Sequence, residues 1–215
     1  MKYYGLLLAV FAGMLAGCAT TQEAIKPAPS VDEKMIWSSH PQRPGWTVSE
    51  PAMEDDKLTF VGLSAERVAT EKDARDEAHN NAINYVVKYI GTFVDSKIEK
   101  IATTYGLSAD IVNPTEAKRS RSEQLSTALT TRVKSAEWYL EKYRNKMEEV
   151  YYKAFVKASV PKTAIDEAYK DIMDSNIDDM KKKRDAASDE KAKSQFQNAM
   201  NAFEDAKNKG FTLEK

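Results

Sequence analysis

The chain has 215 residues, 32 basic and 33 acidic, a formal charge of −1 and 42% hydrophobic content. That length suits one main domain with extensions, and the hydrophobic share is enough for a packed core. Charges of both signs are interspersed, so no broad field draws the chain toward nucleic acid or anionic lipid, and nucleic-acid binding is not expected.

The N-terminus comes first. Lys2 precedes an apolar run, Leu6 to Leu15, that is shorter than the roughly 20 residues a stable membrane-spanning helix needs. Small residues then lead into Cys18, the only cysteine in the chain. This order of charge, apolar run and small residues reads as a signal peptide over residues 1–17. Leu15-Ala16-Gly17-Cys18 is similar to the lipobox of bacterial lipoproteins, where a signal peptidase cuts just before a cysteine that already carries diacylglycerol. The resemblance implies that Cys18 becomes the lipidated mature N-terminus; the other reading is an ordinary secretory signal in which Cys18 is incidental. At about 0.8 kcal/mol per buried methylene, one acyl chain binds a membrane reversibly, whereas two or three hold a protein there essentially permanently. Ala19, standing where aspartate would retain the protein, implies the outer membrane by similarity to the sorting rule of Gram-negative lipoproteins, with either a periplasmic or a surface-facing domain. With its thiol lipidated the chain can form no disulfide, so stability would rest on packing. No later stretch is apolar for long enough to span a bilayer.

From residue 18 to 40 the chain is polar and carries Pro27 and Pro29, which predicts an extended, lipidated tether. Pro41 to Trp46 marks the folded boundary, with a turn at Pro44-Gly45 and Trp46 closing over a core edge. Leu58 to Ser64 reads as a strand bounded by the acidic turn Glu54-Asp55-Asp56. Gly62 within it marks a bulge or a close approach of another backbone, most simply the next helix. Thr70 to Tyr105 carries apolar residues at helical spacing, including Ala74, Ala78, Ala82, Val86, Val94 and Ile98. Thr70 is the expected N-cap, Gly106 the expected terminator, and Gly91 a possible kink. Such a helix would reach about 54 Å, longer than a small sheet covers, so its C-terminal half is expected to project toward a partner.

Residues 107–124 are expected to be a connecting loop, since they hold Asn113-Pro114 and a charged run from Glu116 to Glu123. Leu125 to Tyr143 reads as a strand that changes phase at a bulge near Ser135 to Glu137, so that Trp138 and Leu140 share the new face. A tight turn at Asn145-Lys146 and a strand from Val150 to Val160 complete an antiparallel hairpin ended by Pro161. Beyond residue 162, Ile165, Ala168, Tyr169, Ile172, Met173, Ile177 and Met180 form one helical stripe. Phe196, Ala199, Met200 and Phe203 form another after a polar interval that Ser188 could cap. These stripes read as core or helix-pair packing, in one rod or a hairpin, and as a possible surface for pairing with another copy or an envelope partner.

The expected architecture is α+β: one long helix on a three-stranded antiparallel sheet over residues 41–161, followed by a C-terminal helical extension over 162–215. Its order and motifs, Pro44-Gly45-Trp46, Phe60-Val61-Gly62-Leu63-Ser64, the alanines at 74, 78 and 82, and Tyr151, Tyr152 and Phe155, resemble the LPP20 family of bacterial envelope lipoproteins. The resemblance covers roughly residues 42–160. It implies a dodecin-like βαββ fold and a structural or assembly role in the cell envelope, as a homo-oligomer or with other envelope proteins. It brings no catalytic residue to carry over.

The reactive residue types agree with that expectation. His40 and His79 lie in no metal-ligand spacing, and no G-x-S-x-G elbow or glycine-rich phosphate loop occurs. Carboxylates such as Asp73, Glu77, Asp178 and Asp179 sit among lysines and arginines on solvated helical positions. Neither an enzyme, a metal nor a cofactor is expected. The competing reading is a carrier for a flavin-like or apolar small molecule, with Trp46, Trp138, Tyr151 and Phe155 lining a cleft.

Overall fold

Thr70 starts the longest helix as expected, its hydroxyl accepting the Asp73 amide at 3.1 Å. Helix α1 runs Glu71–Thr104, and Gly106 follows it with φ +68°, the left-handed conformation that glycine adopts without a side-chain penalty. The computed structural model describes residues 33–107 and 115–212. The signal segment with Leu15, Ala16, Gly17 and Cys18, most of the tether, and Asn113-Pro114 lie outside the described residues.

Around α1 the described elements are β1 (Lys34–Ser38), a 3-10 turn (Gly45–Val48), β2 (Ala52–Glu54), β3 (Lys57–Leu63), α2 (Thr115–Thr130), β4 (Lys134–Arg144), β5 (Val150–Pro161), α3 (Lys162–Ala186) and α4 (Glu190–Lys209). The five strands pair antiparallel throughout in the order β1-β4-β5-β3-β2, and the fold is α+β. The sheet therefore has five strands, not three. Both added strands lie at its edges. β1 falls inside the stretch read as tether, and β2 is three residues leading into the Asp55-Asp56 turn, both of whose residues have positive φ, the backbone a two-residue hairpin needs. Edge strands of this length carry little periodic signal, and only pairing with β4 and β3 makes them strands.

On the inner face of the sheet, Leu58, Phe60, Leu140, Ala154, Val156, Ala158 and Val160 are buried against α1 and its neighbours. Ala74, Ala78 and Ala82 are fully buried where α1 lies on β3 and β5. Gly62 is the close approach foreseen for it: a β-carbon there would collide with the Ala78 carbonyl oxygen and reach the Ala82 Cβ at 2.6 Å. Glycine is required at that position because nothing larger fits between strand and helix. The bulge in β4 also falls where expected, as a register shift between Ser135 and Glu137.

Three expectations are corrected by the packing, and the choice between rod and hairpin, left open by the sequence, is decided. Residues 115–130 are helix α2, not a loop running into a strand. Leu125 and Leu129 alternate with Thr127 and Thr131 as a strand would, yet Arg121, Leu125 and Leu129 are also one helical turn apart and all three are buried. The helical alternative wins because the segment is rich in Glu, Ala, Lys, Arg and Gln and because it packs on α1. The second half of α1 accordingly does not project. Val94, Ile98, Ile101 and Ala102 are buried, and α2 is tied down by Arg121 to Asp95 at 2.7 Å and Lys118 to Glu99 at 2.9 Å. Finally, α3 and α4 fold back on each other as an antiparallel hairpin, crosslinked by Lys207 to Asp174 and Arg184 to Gln197, both at 2.6 Å. Their stripes belong to the main core, where Ile165, Met173, Met180 and Phe203 are fully buried. Asp189, not Ser188, caps α4 by accepting the Ala192 amide at 2.9 Å.

Candidate functional site

Strand pleating sends alternate residues of β4 and β5 to the face away from α1. The register places Tyr139 opposite Phe155, Glu141 opposite Lys153 and Tyr143 opposite Tyr151 there. This outer face is not bare. The segment leading into the 3-10 turn crosses it, the turn packs on β5 and β3, and Arg43 reaches Glu141 while its guanidinium lies 4.9 Å from the centre of the Phe155 ring.

Glu141 is the centre of the cluster, with 1% of its surface exposed. Its Oε1 accepts from Arg43 Nε at 2.9 Å and Nη2 at 2.5 Å, and its Oε2 accepts from the Tyr143 hydroxyl at 2.8 Å. A buried carboxylate is tolerable only when paired and hydrogen-bonded in this way. Burial, then the bond to the Glu141 carboxylate, pushes the Tyr143 phenol up to about 12. The bond to Glu141 in turn raises the Arg43 guanidinium further above its already high range. Tyr143 stacks flat on Tyr151, ring centres 5.4 Å apart. Arg67 pairs with Glu33 and lies 5.7 Å from the centre of the Tyr151 ring. Burial raises the Tyr151 phenol most, with the Glu33 carboxylate adding to it, although by geometry the hydroxyl makes no hydrogen bond among the described residues. The Trp46 indole N–H is a second buried donor without a partner there.

Both oxygens of Glu141 are engaged, so the carboxylate serves as an anchor for Arg43. What remains open is an edge. Among the described residues nothing pairs with the far side of β1, where Met35 and Trp37 are 47% and 48% exposed.

The four residues of the expected carrier cleft are not brought together. Tyr151 and Phe155 lie on the outer face, whereas Trp138, opposite Val156, faces the helix side with the Arg75 guanidinium 5.0 Å from its ring centre. His40 lies beside Ser39 and His79 beside Ser135, each ring nitrogen 3.1 Å from a hydroxyl. Among the described residues no cluster of three or more histidines, cysteines or carboxylates is placed to hold a metal, and no helix is long and apolar enough to cross a membrane. Arg43, Glu141 and Tyr143 were not singled out from the sequence. The available signal was the alternation Tyr139, Glu141, Tyr143, which sets a carboxylate between two tyrosines on one strand face. No family model matches the chain, and neither curated proteins nor solved structures give a significant match.

Proposed function

We propose that this chain is a non-enzymatic, lipid-anchored lipoprotein of the bacterial outer membrane, similar to the LPP20 family, whose domain takes part in envelope assembly. Cys18 at the end of Leu15-Ala16-Gly17-Cys18 carries this reading, because a lone cysteine stands at the one position that lipidation requires. The run β3, α1, β4, β5, with strands in the order β4-β5-β3, supports a dodecin-like βαββ unit elaborated by edge strands and helices.

The open side of β1 supports self-association as the means of assembly. An exposed strand edge offers unpaired backbone donors and acceptors. Two copies of β1 paired antiparallel about Ile36 would set Met35 against Trp37 and Lys34 against Ser38, burying apolar surface without opposing like charges. Lys34 and the register shift between Met35 and Trp37 are features that discourage indiscriminate pairing, which favours a closed pair over a growing sheet.

The anchor is tested by labelling cells with radioactive palmitate and fractionating their membranes, with and without globomycin. The wild-type chain should take up label and sediment with outer membrane, and Cys18→Ser should lose both; unchanged processing and fractionation in Cys18→Ser would overturn the reading. Light scattering on residues 19–215 should show a dimer that Trp37→Lys converts to monomer. A strict monomer at high micromolar concentration removes self-association.

A further inference from the structure

The C-terminal end of α4 builds a cleft that the envelope reading does not use. Gly210 ends the helix with φ +71° and turns the chain so that Phe211 inserts between α1 and α3. The Phe211 amide donates to Asp166 Oδ1 at 3.0 Å, and its ring stands edge-on to Tyr169 at 5.9 Å and Phe93 at 6.3 Å. These three rings line a hollow of about 480 Å³ whose wall also carries Lys97 and Lys100, one turn apart on α1, and Lys209 at the end of α4. An adjoining hollow of about 300 Å³ shares all three lysines and adds Ile101, Tyr105 and Asp205. Asp166, beneath the turn, is already engaged by Lys162 at 2.5 Å and by the Phe211 amide.

The volume falls within the range of small-molecule sites, which pair an apolar lining with a few convergent polar groups. Among the described residues its chemistry is lopsided: an aromatic floor, three ammonium groups, of which Lys97 already has a partner of its own, and a single carboxylate across the two hollows. The hollow between α1 and α2 carries a similar excess of basic groups, Lys88, Lys118 and Arg121 beside Asp95, but no aromatic residue, so the combination of rings and lysines sets this cleft apart. The hollow between α2 and α3 is of similar size, about 500 Å³, but it has no aromatic residue and its charged groups, Glu123 and Asp171, are acidic.

We propose that the cleft between α1, α3 and the end of α4 binds a single-chain amphipathic anion of the fatty-acid kind. Its apolar body lies over Phe93, Tyr169 and Phe211, and its carboxylate sits among Lys97, Lys100 and Lys209. The aromatic floor gains from removing hydrocarbon from water, and the ammonium groups supply charge-assisted hydrogen bonds to the head. The proposal is independent of what happens at Cys18.

Dodecanoate is the probe, titrated calorimetrically into residues 19–215, a chain that retains every residue of the described core. Saturable binding with one equivalent is expected. The triple substitution Lys97→Gln, Lys100→Gln, Lys209→Gln should weaken it at least about tenfold, and dodecanol, which lacks the charge, should bind at least about tenfold more weakly than dodecanoate. Ser96→Trp places a bulky ring in the cleft from an exposed position and should abolish binding, while the thermal unfolding of both variants stays that of the parent. No saturable binding up to about 1 mM overturns the proposal. So does binding that survives both variants, and so does a chain that sediments with phosphatidylglycerol vesicles yet takes up no free dodecanoate.

Discussion

The two faces of the sheet are covered in opposite ways. Against the inner face α1 presents Ala74, Ala78 and Ala82 to Gly62 and the small, apolar residues of β5, so helix and sheet meet at backbone distance through small, uncharged side chains. Over the outer face the cover is irregular chain, and it is held by a buried carboxylate, an arginine and stacked tyrosines. Apolar packing of the first kind tolerates almost no change in volume. Polar cover of the second kind tolerates changes of size but not the loss of one partner. A single sheet thus depends on shape on one side and on satisfied charge on the other.

Three experiments would break or sharpen this contrast. The largest effect is expected on the inner face, where Gly62→Ala should cost about 3 kcal/mol or more because neither the Ala78 carbonyl nor Ala82 can move without shifting α1. Urea unfolding measures it, and a change of less than about 1 kcal/mol would mean that strand and helix are not in close contact. On the outer face Arg43→Ala should cost about 2 kcal/mol, since it leaves Glu141 buried with only the Tyr143 hydroxyl as donor. Glu141→Leu should cost less, because Arg43, whose side chain is 45% exposed, can turn to solvent. If Glu141→Leu proves the costlier of the two, the carboxylate contributes more than an anchor for the arginine.

The smallest effect is a pH dependence. The Tyr143 phenol is raised from 10.0 to about 12 in the folded chain, so its contribution is complete below the unfolded value and is lost as pH rises through the window between the two. With partial solvent exposure discounted, this is on the order of 1 kcal/mol. Denaturation midpoints measured across that window should fall for the parent and fall less for Tyr143→Phe. An equal slope in both would remove Tyr143 from the account.

The legibility of the chain follows the same division. The inner face was readable because its pattern is local: alanines four residues apart, a glycine in a strand, a threonine cap before an acidic first turn. Helix α2 was misread because Leu125, Thr127 and Leu129 satisfy a period of two as well as a helical turn, and the burial of Arg121 that decides between them depends on Asp95, 26 residues earlier in the chain. Arg43 and Glu141 are 98 residues apart, and neither is unusual where it stands. The lysine-rimmed cleft is less visible still, since it draws on α1, α3 and the chain after α4.

What the sequence determined alone is therefore what neighbouring residues impose on one another: the capped amphipathic helix, the β4–β5 hairpin with its bulge, and the apolar stripes of the last two helices. Tertiary structure decided the rest: the edge strands, the helical state of α2, the return of α3 and α4 onto the core, and the pairing of Arg43 with Glu141. These depend on contacts between distant segments, and their free energy appears only when folding removes both partners from water at once.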